Sequence, residues 1–237
     1  MASIFQFKQF SIDQTDCAMK VNTDGVLLAA LVNSDAPVQI LDIGTGTGLI
    51  ALMLAQRFPL ALIDAVEIDE KAAKTAESNF SGSPFSNRSR LFHTSIEEYF
   101  LNYNGHYDLI VSNPPFFINS LRSEDPAKGI ARHTNKSFFE NLLKEAANKL
   151  SDNGLLFIIL PIETSELVKK LIVSIPKLKV KREIMIHSFS ESSPHRKILA
   201  IGFGISEPIK NKFVIYEKAG IYTSEYRTLL KDFLTIF

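Results

Sequence analysis

The sequence is poor in cysteine and has no long apolar run. Cys17 is the single cysteine among 237 residues, which excludes an intrachain disulfide and a cysteine-rich metal site. No apolar run reaches the roughly 18 residues that a transmembrane helix needs. The first ten residues lack the basic segment followed by an apolar block that marks a signal peptide. We therefore expect a cytoplasmic monomer without a membrane partner.

Two kinds of catalytic machinery are also missing from the sequence. The five histidines show no ligand spacing with cysteine or acidic residues, so we expect no metal. No Gly-x-Ser-x-Gly segment indicates a hydrolase triad. Hydrophobic residues make up 46% of the chain, enough for a large core, and the length suits a single α/β domain.

Charge is unevenly distributed along the chain, although its total is zero. Residues 1–118 contain 7 Lys or Arg and 13 Asp or Glu, whereas residues 119–237 contain 19 and 13. A basic half indicates a polyanionic partner such as nucleic acid. Lysines such as Lys177 and Lys179 fit a solvated surface equally well, so charge alone leaves both interpretations open.

Short apolar runs alternate with helical patterns from residue 38 onward. The predicted strands are 38–43, 62–68, 91–94, 107–112, 155–160, 180–187 and 197–205. The predicted helices are 24–31, 49–58, 70–80, 96–101, 137–150, 163–174 and 224–233. This alternation predicts an α/β fold with a mostly parallel, seven-stranded sheet and helices on both faces. The last two strands have only a loop between them, which predicts an antiparallel hairpin at one edge.

Two stretches stand apart from this alternation. Residues 1–35 precede the first sheet strand and are predicted to form a small cap on the domain of residues 36–237, within one structural domain overall. Residues 116–136 form the one long irregular connection, and loops of that length are usually functional or mobile.

A glycine-rich segment follows the first predicted sheet strand. It reads Asp-Ile-Gly-Thr-Gly-Thr-Gly and spans Asp42 to Gly48. Glycines such as Gly44 and Gly46 permit a tight turn and a close ligand approach at the carboxyl edge of a parallel sheet. The third spacing is shorter than in the Gly-x-Gly-x-x-Gly fingerprint of dehydrogenases. The segment resembles the first motif of class I S-adenosylmethionine methyltransferases; a plain tight turn is the alternative.

An acidic residue, Glu67, ends the second strand. At this position, about 20 residues after the glycines, a carboxylate can accept hydrogen bonds from the ribose hydroxyls of a nucleoside. Asp69 fits better as the N-cap of the next helix. Dehydrogenases and methyltransferases both use such an acid, so Glu67 does not separate them.

The segment Asn113-Pro114-Pro115-Phe116 does separate them. An amino group on an aromatic base is a poor nucleophile, because its lone pair is shared with the ring. The Asn113 side-chain oxygen and the Pro114 carbonyl can each accept one of its hydrogens, and Phe116 can stack on the base. The segment resembles the Asn-Pro-Pro-aromatic motif of amino methyltransferases, which implies a catalytic role for these residues. A rigid exit from the strand is the alternative.

Scattered segments carry a more specific resemblance. They are 7–10 (Phe-Lys-Gln-Phe), 17–21 (Cys-Ala-Met-Lys-Val), 23–25 (Thr-Asp-Gly), 113–116, 131–134 (Ala-Arg-His-Thr) and 194–196 (Pro-His-Arg). Together they resemble the bacterial tRNA1(Val) adenine N6-methyltransferases, and the likeness runs nearly end to end, through residues 222–237. It implies a Rossmann-like class I fold, S-adenosylmethionine as methyl donor, and the adenine just 3′ of the anticodon (adenine 37) as target.

The resemblance also implies roles for single residues. Lys20, Thr23 and Asp24 would lie over the methionine end of the cofactor, with Thr23 and Asp24 among the cofactor-binding residues; a helix N-cap is the alternative for Asp24. The resemblance further implies tRNA phosphate contacts from loops at the carboxyl edge of the sheet. Those contacts would come from Arg132, His133, Arg196 and Lys197, unless these are ordinary surface residues.

One position departs from the family pattern. Such enzymes commonly carry an acid after the third strand to receive the cofactor's adenine amino group, and Ser95 aligns there. Its hydroxyl can accept the same hydrogen bond more weakly. The alternatives in function are methylation of a DNA adenine, a ribosomal guanine or a protein glutamine, and a non-catalytic RNA-binding protein. A dehydrogenase fits poorly, since the asparagine-proline-proline segment would be unexplained.

Overall fold

A nine-stranded sheet organises the chain. The computed structural model describes residues 3–15, 17, 20–115, 126–205 and 207–237, with the backbone alone at 126–135. The strands are β1 (Ile4–Gln6), β2 (Ser11–Asp13), β3 (Gln39–Ile43), β4 (Leu62–Glu67), β5 (Ser89–His93), β6 (Tyr107–Ser112), β7 (Leu150–Leu160), β8 (Leu178–Phe189), β9 (Arg196–Phe203), β10 (Ile209–Lys218) and β11 (Ile221–Tyr222). The helices are α1 (Thr23–Leu31), α2 (Leu49–Arg57), α3 (Glu70–Ser81), α4 (Ile96–Asn102), α5 (Pro126–Lys149), α6 (Ile162–Ile172) and α7 (Ser224–Leu230), with a 3-10 turn at Ser86–Arg88.

The sheet is mostly parallel, as predicted. Its strand order is β11-β10-β8-β9-β7-β6-β3-β4-β5. β9 pairs antiparallel with both β7 and β8, and β11 pairs antiparallel with β10. The other strands of the sheet run in one direction. Their carboxyl ends therefore share one edge, and the reversal of β9 brings its first residues to that same edge.

The predicted β8–β9 hairpin is present, but it does not end the sheet. β10 adds to β8 in parallel, and β11 follows it, so the prediction of seven strands was two short. The first four residues of β10 are exposed, and buried residues alternate only from Phe213 onward. The exposed first half of β10 contains two lysines and shows little apolar periodicity. The sequence pattern therefore did not predict a strand there.

The connection after β6 also differs from the prediction. Helix α5 begins at Pro126, about three turns before the predicted start at residue 137, so residues 116–136 are not irregular throughout. Proline suits a first helical position because the N–H that it lacks would have no intrahelical partner there. Arg132 and His133 therefore lie in a helix and not in a loop; their side chains, and Phe116, lie outside the described residues.

Both faces of the sheet are covered by apolar side chains. One cluster lies under α1, α2 and α7, and the other lies under α4, α5 and α6. Phe7, Phe10 and Ile12 of the N-terminal hairpin belong to the first cluster, so the hairpin packs on the same core as the sheet. Parallel strands covered on both faces leave the strand ends as the places where a ligand can enter.

Candidate active site

The glycine-rich turn between β3 and α2 has left-handed backbone geometry. Gly44, Gly46 and Gly48 have φ values of 70°, 60° and 83°. A Cβ added at Gly44 or Gly46 would meet no atom within 4 Å, whereas one at Gly48 would lie 2.5 Å from the Phe80 ring. The first two glycines therefore border open space that a ligand can fill, and the third allows α2 to approach α3.

A buried carboxylate, Asp42, holds the start of this turn. One of its oxygens accepts hydrogen bonds from the Thr45 hydroxyl at 2.6 Å and the Ala51 N–H at 3.2 Å. The other oxygen is buried and has no hydrogen-bond partner among the described residues. Complete burial raises the pKa of Asp42 to about 7, and the two hydrogen bonds only partly oppose that rise.

A second carboxylate, Glu67, holds the middle of the turn. Its Oε2 accepts from the Gly46 N–H at 2.9 Å, and its Oε1 accepts from the Ile68 and Asp69 N–H groups at 2.9 Å each. Each carboxylate oxygen has two lone pairs, so Oε2 keeps one for a ligand hydroxyl. Asp69 accepts from the Ala72 N–H and caps α3, as its sequence position predicted.

An asparagine that the motifs did not single out connects this turn to the N-terminal hairpin. The Asn79 amide donates to the Thr47 carbonyl at 2.8 Å and to the Asp13 carbonyl at 2.9 Å, and its oxygen accepts from the Asp13 N–H. Asn79 is buried. In the sequence, this role is indicated only by a polar residue within the predicted helix α3, because the residues that Asn79 contacts are distant in sequence.

The cap forms one wall of a cleft over the glycine turn. Lys20, Asn22 and Gly25 line this cleft together with residues 44–47 and Asn113. The N-cap of α1 is Asn22, whose side chain accepts from the Gly25 N–H at 2.9 Å. The N-cap alternative for Asp24 is therefore wrong. Its carboxylate instead accepts a hydrogen bond from Arg196 at 2.6 Å.

Asn113 lies directly after β6, on the wall that faces the cap. The Ser112 hydroxyl donates to the Ile43 carbonyl at 3.0 Å and so ties the end of β6 to the end of β3. Asn113 is 8% exposed, and its side-chain oxygen has no hydrogen-bond partner among the described residues. An unsatisfied buried acceptor is costly, so its retention beside a ligand cleft indicates a ligand that donates a hydrogen bond.

Two of the predicted phosphate-binding residues, Arg196 and Lys197, are paired with acids. They are the first residues of β9 and not part of a loop. Lys197 Nζ lies 2.7 Å from Glu166 and 3.1 Å from Glu183, and its side chain is 8% exposed. Burial alone would raise the pKa of Glu183, but its bonds to Lys169 and Lys197 outweigh burial and lower it. Lys197 therefore offers phosphate little free surface.

Ser95 lies at the N-terminus of α4, beyond β5. Its hydroxyl accepts from the Glu98 N–H at 3.1 Å and caps the helix. The remaining acceptor capacity of the hydroxyl is compatible with an adenine amino group, and that contact stays a prediction. In the described part of the chain, no three His, Cys, Asp or Glu side chains form a metal-binding group, and no helix is long and apolar enough to span a membrane.

The sequence and fold match known proteins. A family model described as methyltransferase small domain matches residues 9–185. The chain belongs to this family. A curated relative named tRNA1(Val) (adenine(37)-N6)-methyltransferase, from Pedobacter heparinus, is 46% identical over 237 residues and covers 100% of both chains. A relative of the same name from Parabacteroides distasonis is 39% identical, over 97% of this methyltransferase and 96% of its own length.

Solved structures share the fold of this methyltransferase. A predicted O-methyltransferase from Agrobacterium tumefaciens superposes with a TM-score of 0.67 at 17% identity, over 89% of this chain and 96% of its own. A Bacillus subtilis tRNA methyltransferase, described as M1A22, superposes with a TM-score of 0.57 at 12% identity, over 78% and 67%. At these identities the likeness is one of fold.

Proposed function

We propose that this methyltransferase transfers the methyl group of S-adenosylmethionine to N6 of adenine 37 in tRNA1(Val). The full-length relatives of that name support the substrate. The observation that carries the chemistry is the side-chain oxygen of Asn113, a residue that lines the glycine cleft; this oxygen is buried and unpaired among the described residues. A tRNA substrate also agrees with the basic second half of the chain. We expect the protein to act as a monomer in the cytoplasm.

Residues around the glycine turn support the proposed cofactor. Gly44 and Gly46 border open space, which lets a nucleoside lie against the backbone. Glu67 Oε2 has a lone pair left for a ribose hydroxyl, and Thr23 and Asp24 would lie near the amino-acid end. When bound, S-adenosylmethionine supplies an electrophilic methyl group. The protein does not need to activate that group, so its own work is to position the acceptor.

Asn113 and Pro114 position the acceptor amine. Their two oxygens accept its two hydrogens, which favours a pyramidal nitrogen whose lone pair points into the cleft. Pro114 is buried, and its ring fixes the backbone that carries the second oxygen. Once methylated, the nitrogen carries a very acidic proton that leaves to solvent, so no side-chain base is needed. Phe116 would stack on the adenine after it has left its loop.

The proposed tRNA contacts come from α5 and from the start of β9. Arg132 and His133 would meet phosphates from the first half of α5. Arg196 and Lys197 could do so only by exchanging the carboxylates that they now bind. Ser95 would receive the adenine amino group of the cofactor through the remaining acceptor capacity of its hydroxyl.

The proposal is tested with labelled S-adenosylmethionine and total tRNA from cells that lack the enzyme. We expect mass spectrometry to find N6-methyladenosine next to the valine anticodon. Label found on duplex DNA, ribosomal RNA or a glutamine-containing release-factor peptide would keep the chemistry and replace the substrate. Cofactor binding without any transfer would favour the non-catalytic alternative and contradict the proposal.

The role of Asn113 is tested by its alanine variant. Asn113→Ala should lower kcat by about 100-fold or more, as loss of an oriented polar group commonly does, and leave S-adenosylhomocysteine affinity within about threefold. Asn102→Ala is the matched control, because Asn102 is exposed at the end of α4. Equal losses of turnover and of affinity in Asn113→Ala would contradict the assignment.

A further inference from the structure

An ion pair connects helix α1 of the cap to the start of β9. Arg196 Nε donates to Asp24 Oδ2 at 2.6 Å, between residues 172 positions apart. The side chains are 23% and 18% exposed, so water screens the pair only in part. By contrast, the side chains of the pair Lys74–Glu70 are 72% and 67% exposed, and such surface pairs contribute little to stability.

The Arg196 end of this pair is fixed by the sheet. The next residue in β9, Lys197, lies opposite Leu160 at the carboxyl end of β7, and Arg196 itself lies opposite Ile186 in β8. Its guanidinium also donates to the His195 carbonyl at 2.9 Å. The cation is therefore held at the ligand edge of the sheet by two paired strands.

The Asp24 end belongs to the wall of the cleft. Asp24 lies in the first turn of α1, between Asn22 and Gly25, which both line the cleft. A Cβ at Gly25 would lie 3.2 Å from Leu49 Cδ2, so this turn packs closely on the start of α2. A shift of this turn of α1 therefore changes the width of the cleft above the glycine turn.

Two histidines lie near the pair, His195 next to Arg196 in the chain and His187 in β8. Burial together with Arg196 lowers the pKa of His195. A neutral His195 adds no second cation beside Arg196, and Asp24 supplies an opposite charge to Arg196 at 2.6 Å. Removing either charge leaves the other partly buried, which is the costly case for an ion pair.

We propose that Arg196 is a positioning residue that acts through Asp24 to hold residues 20–25 against the glycine turn, and so sets cofactor affinity. This assignment differs from a phosphate contact, which would set tRNA affinity. It rests on the proposed function only for the identity of the cofactor. The pair thus couples the start of β9 to a wall of the cofactor cleft.

Three variants test the proposal by S-adenosylhomocysteine calorimetry and steady-state kinetics. Arg196→Met should raise the dissociation constant by about tenfold, with the KM for tRNA changed less than threefold. Arg196→Lys should recover most of that loss. The double variant Asp24→Asn with Arg196→Met should bind no more weakly than Asp24→Asn alone, because a broken pair cannot be broken twice. Arg227→Met, on the exposed surface of α7, is the matched control.

A readout without cofactor separates this proposal from the proposed function. Amide hydrogen exchange at residues 21–26 of the ligand-free protein should be about tenfold faster in Arg196→Met and unchanged in the control. A higher KM for tRNA in Arg196→Met, with exchange and cofactor affinity unchanged, would overturn the proposal in favour of a phosphate contact. Wild-type protein that binds the cofactor product but methylates no tRNA would fail the proposed function alone.

Discussion

Two turns border the ligand edge of the sheet, and they are held in different ways. The glycine turn is held by Asp42 and Glu67, whose oxygens accept backbone N–H groups from nearby residues. The start of β9, after the β8–β9 turn, is held by ion pairs of Arg196 and Lys197 with acids on α1, α6 and β8. Carboxylates bonded to backbone N–H groups thus hold one side of the site, and ion pairs between side chains hold the other.

The two sides of the site therefore tolerate different substitutions. In the glycine turn the conformation itself is constrained, since three positive φ values and one ring contact admit almost no side chain. At the start of β9 any pair of opposite charges with suitable reach would serve, so the constraint lies on the combination and not on one residue. Three stability measurements test this contrast.

The largest expected effect concerns the charge state of Asp42. Its folded pKa of about 7 lies above the usual carboxyl value of 3.8, so its contribution to stability is present below about pH 4 and is lost as the pH rises through about 7. Asp42→Asn removes this loss, which amounts to roughly 4 kcal/mol over the interval. Urea unfolding at pH 4 to 8 measures this loss, as the free energy of unfolding of the wild type minus that of the variant at each pH.

Other carboxylates titrate in both proteins, so only the difference between them is informative. Glu183 and Asp108 have lowered pKa values and act with the opposite sign. Parallel stability curves for wild type and Asp42→Asn would contradict a carboxyl group that is neutral in the folded state at acidic pH, and with it a pKa of Asp42 that burial raises.

The next effect concerns the buried cation at the start of β9. Lys197→Met should lower the free energy of unfolding by about 3 kcal/mol, because Glu166 and Glu183 lose a buried partner. Lys74→Met, on an exposed pair, should change it by less than about 0.5 kcal/mol. Equal effects in the two variants would mean that the pairing of Lys197 does not hold the strand.

The smallest effect compares two glycines. Gly48→Ala should cost about 2 kcal/mol, from its positive φ and from the contact with Phe80. Gly46→Ala, with a positive φ but open space, should cost about 1 kcal/mol and instead weaken cofactor binding. Thermal unfolding with and without S-adenosylhomocysteine separates the two. A reversed order of stability losses would contradict the distinction between packing and cleft glycines.

The difference between local and distant contacts explains which features could be predicted from the sequence. The α/β alternation, the antiparallel hairpin and the acid at the end of β4 follow from local patterns, and the structure confirms that fold. The partners of Arg196 and Lys197 could not be predicted in this way, because Asp24 is 172 residues from Arg196 and no local pattern records the pairing. β10 was missed because its exposed first half has no apolar periodicity.

The reversal of β9 also has a consequence for the order of folding. The β8–β9 hairpin closes a short loop, and such hairpins form within microseconds. Contacts between residues close in sequence cost little chain entropy, whereas the Asp24–Arg196 pair must close a loop of 172 residues. We therefore expect the β8–β9 hairpin to form early and the Asp24–Arg196 pair to form late, so that the cofactor cleft is among the last parts of the molecule to acquire its native shape.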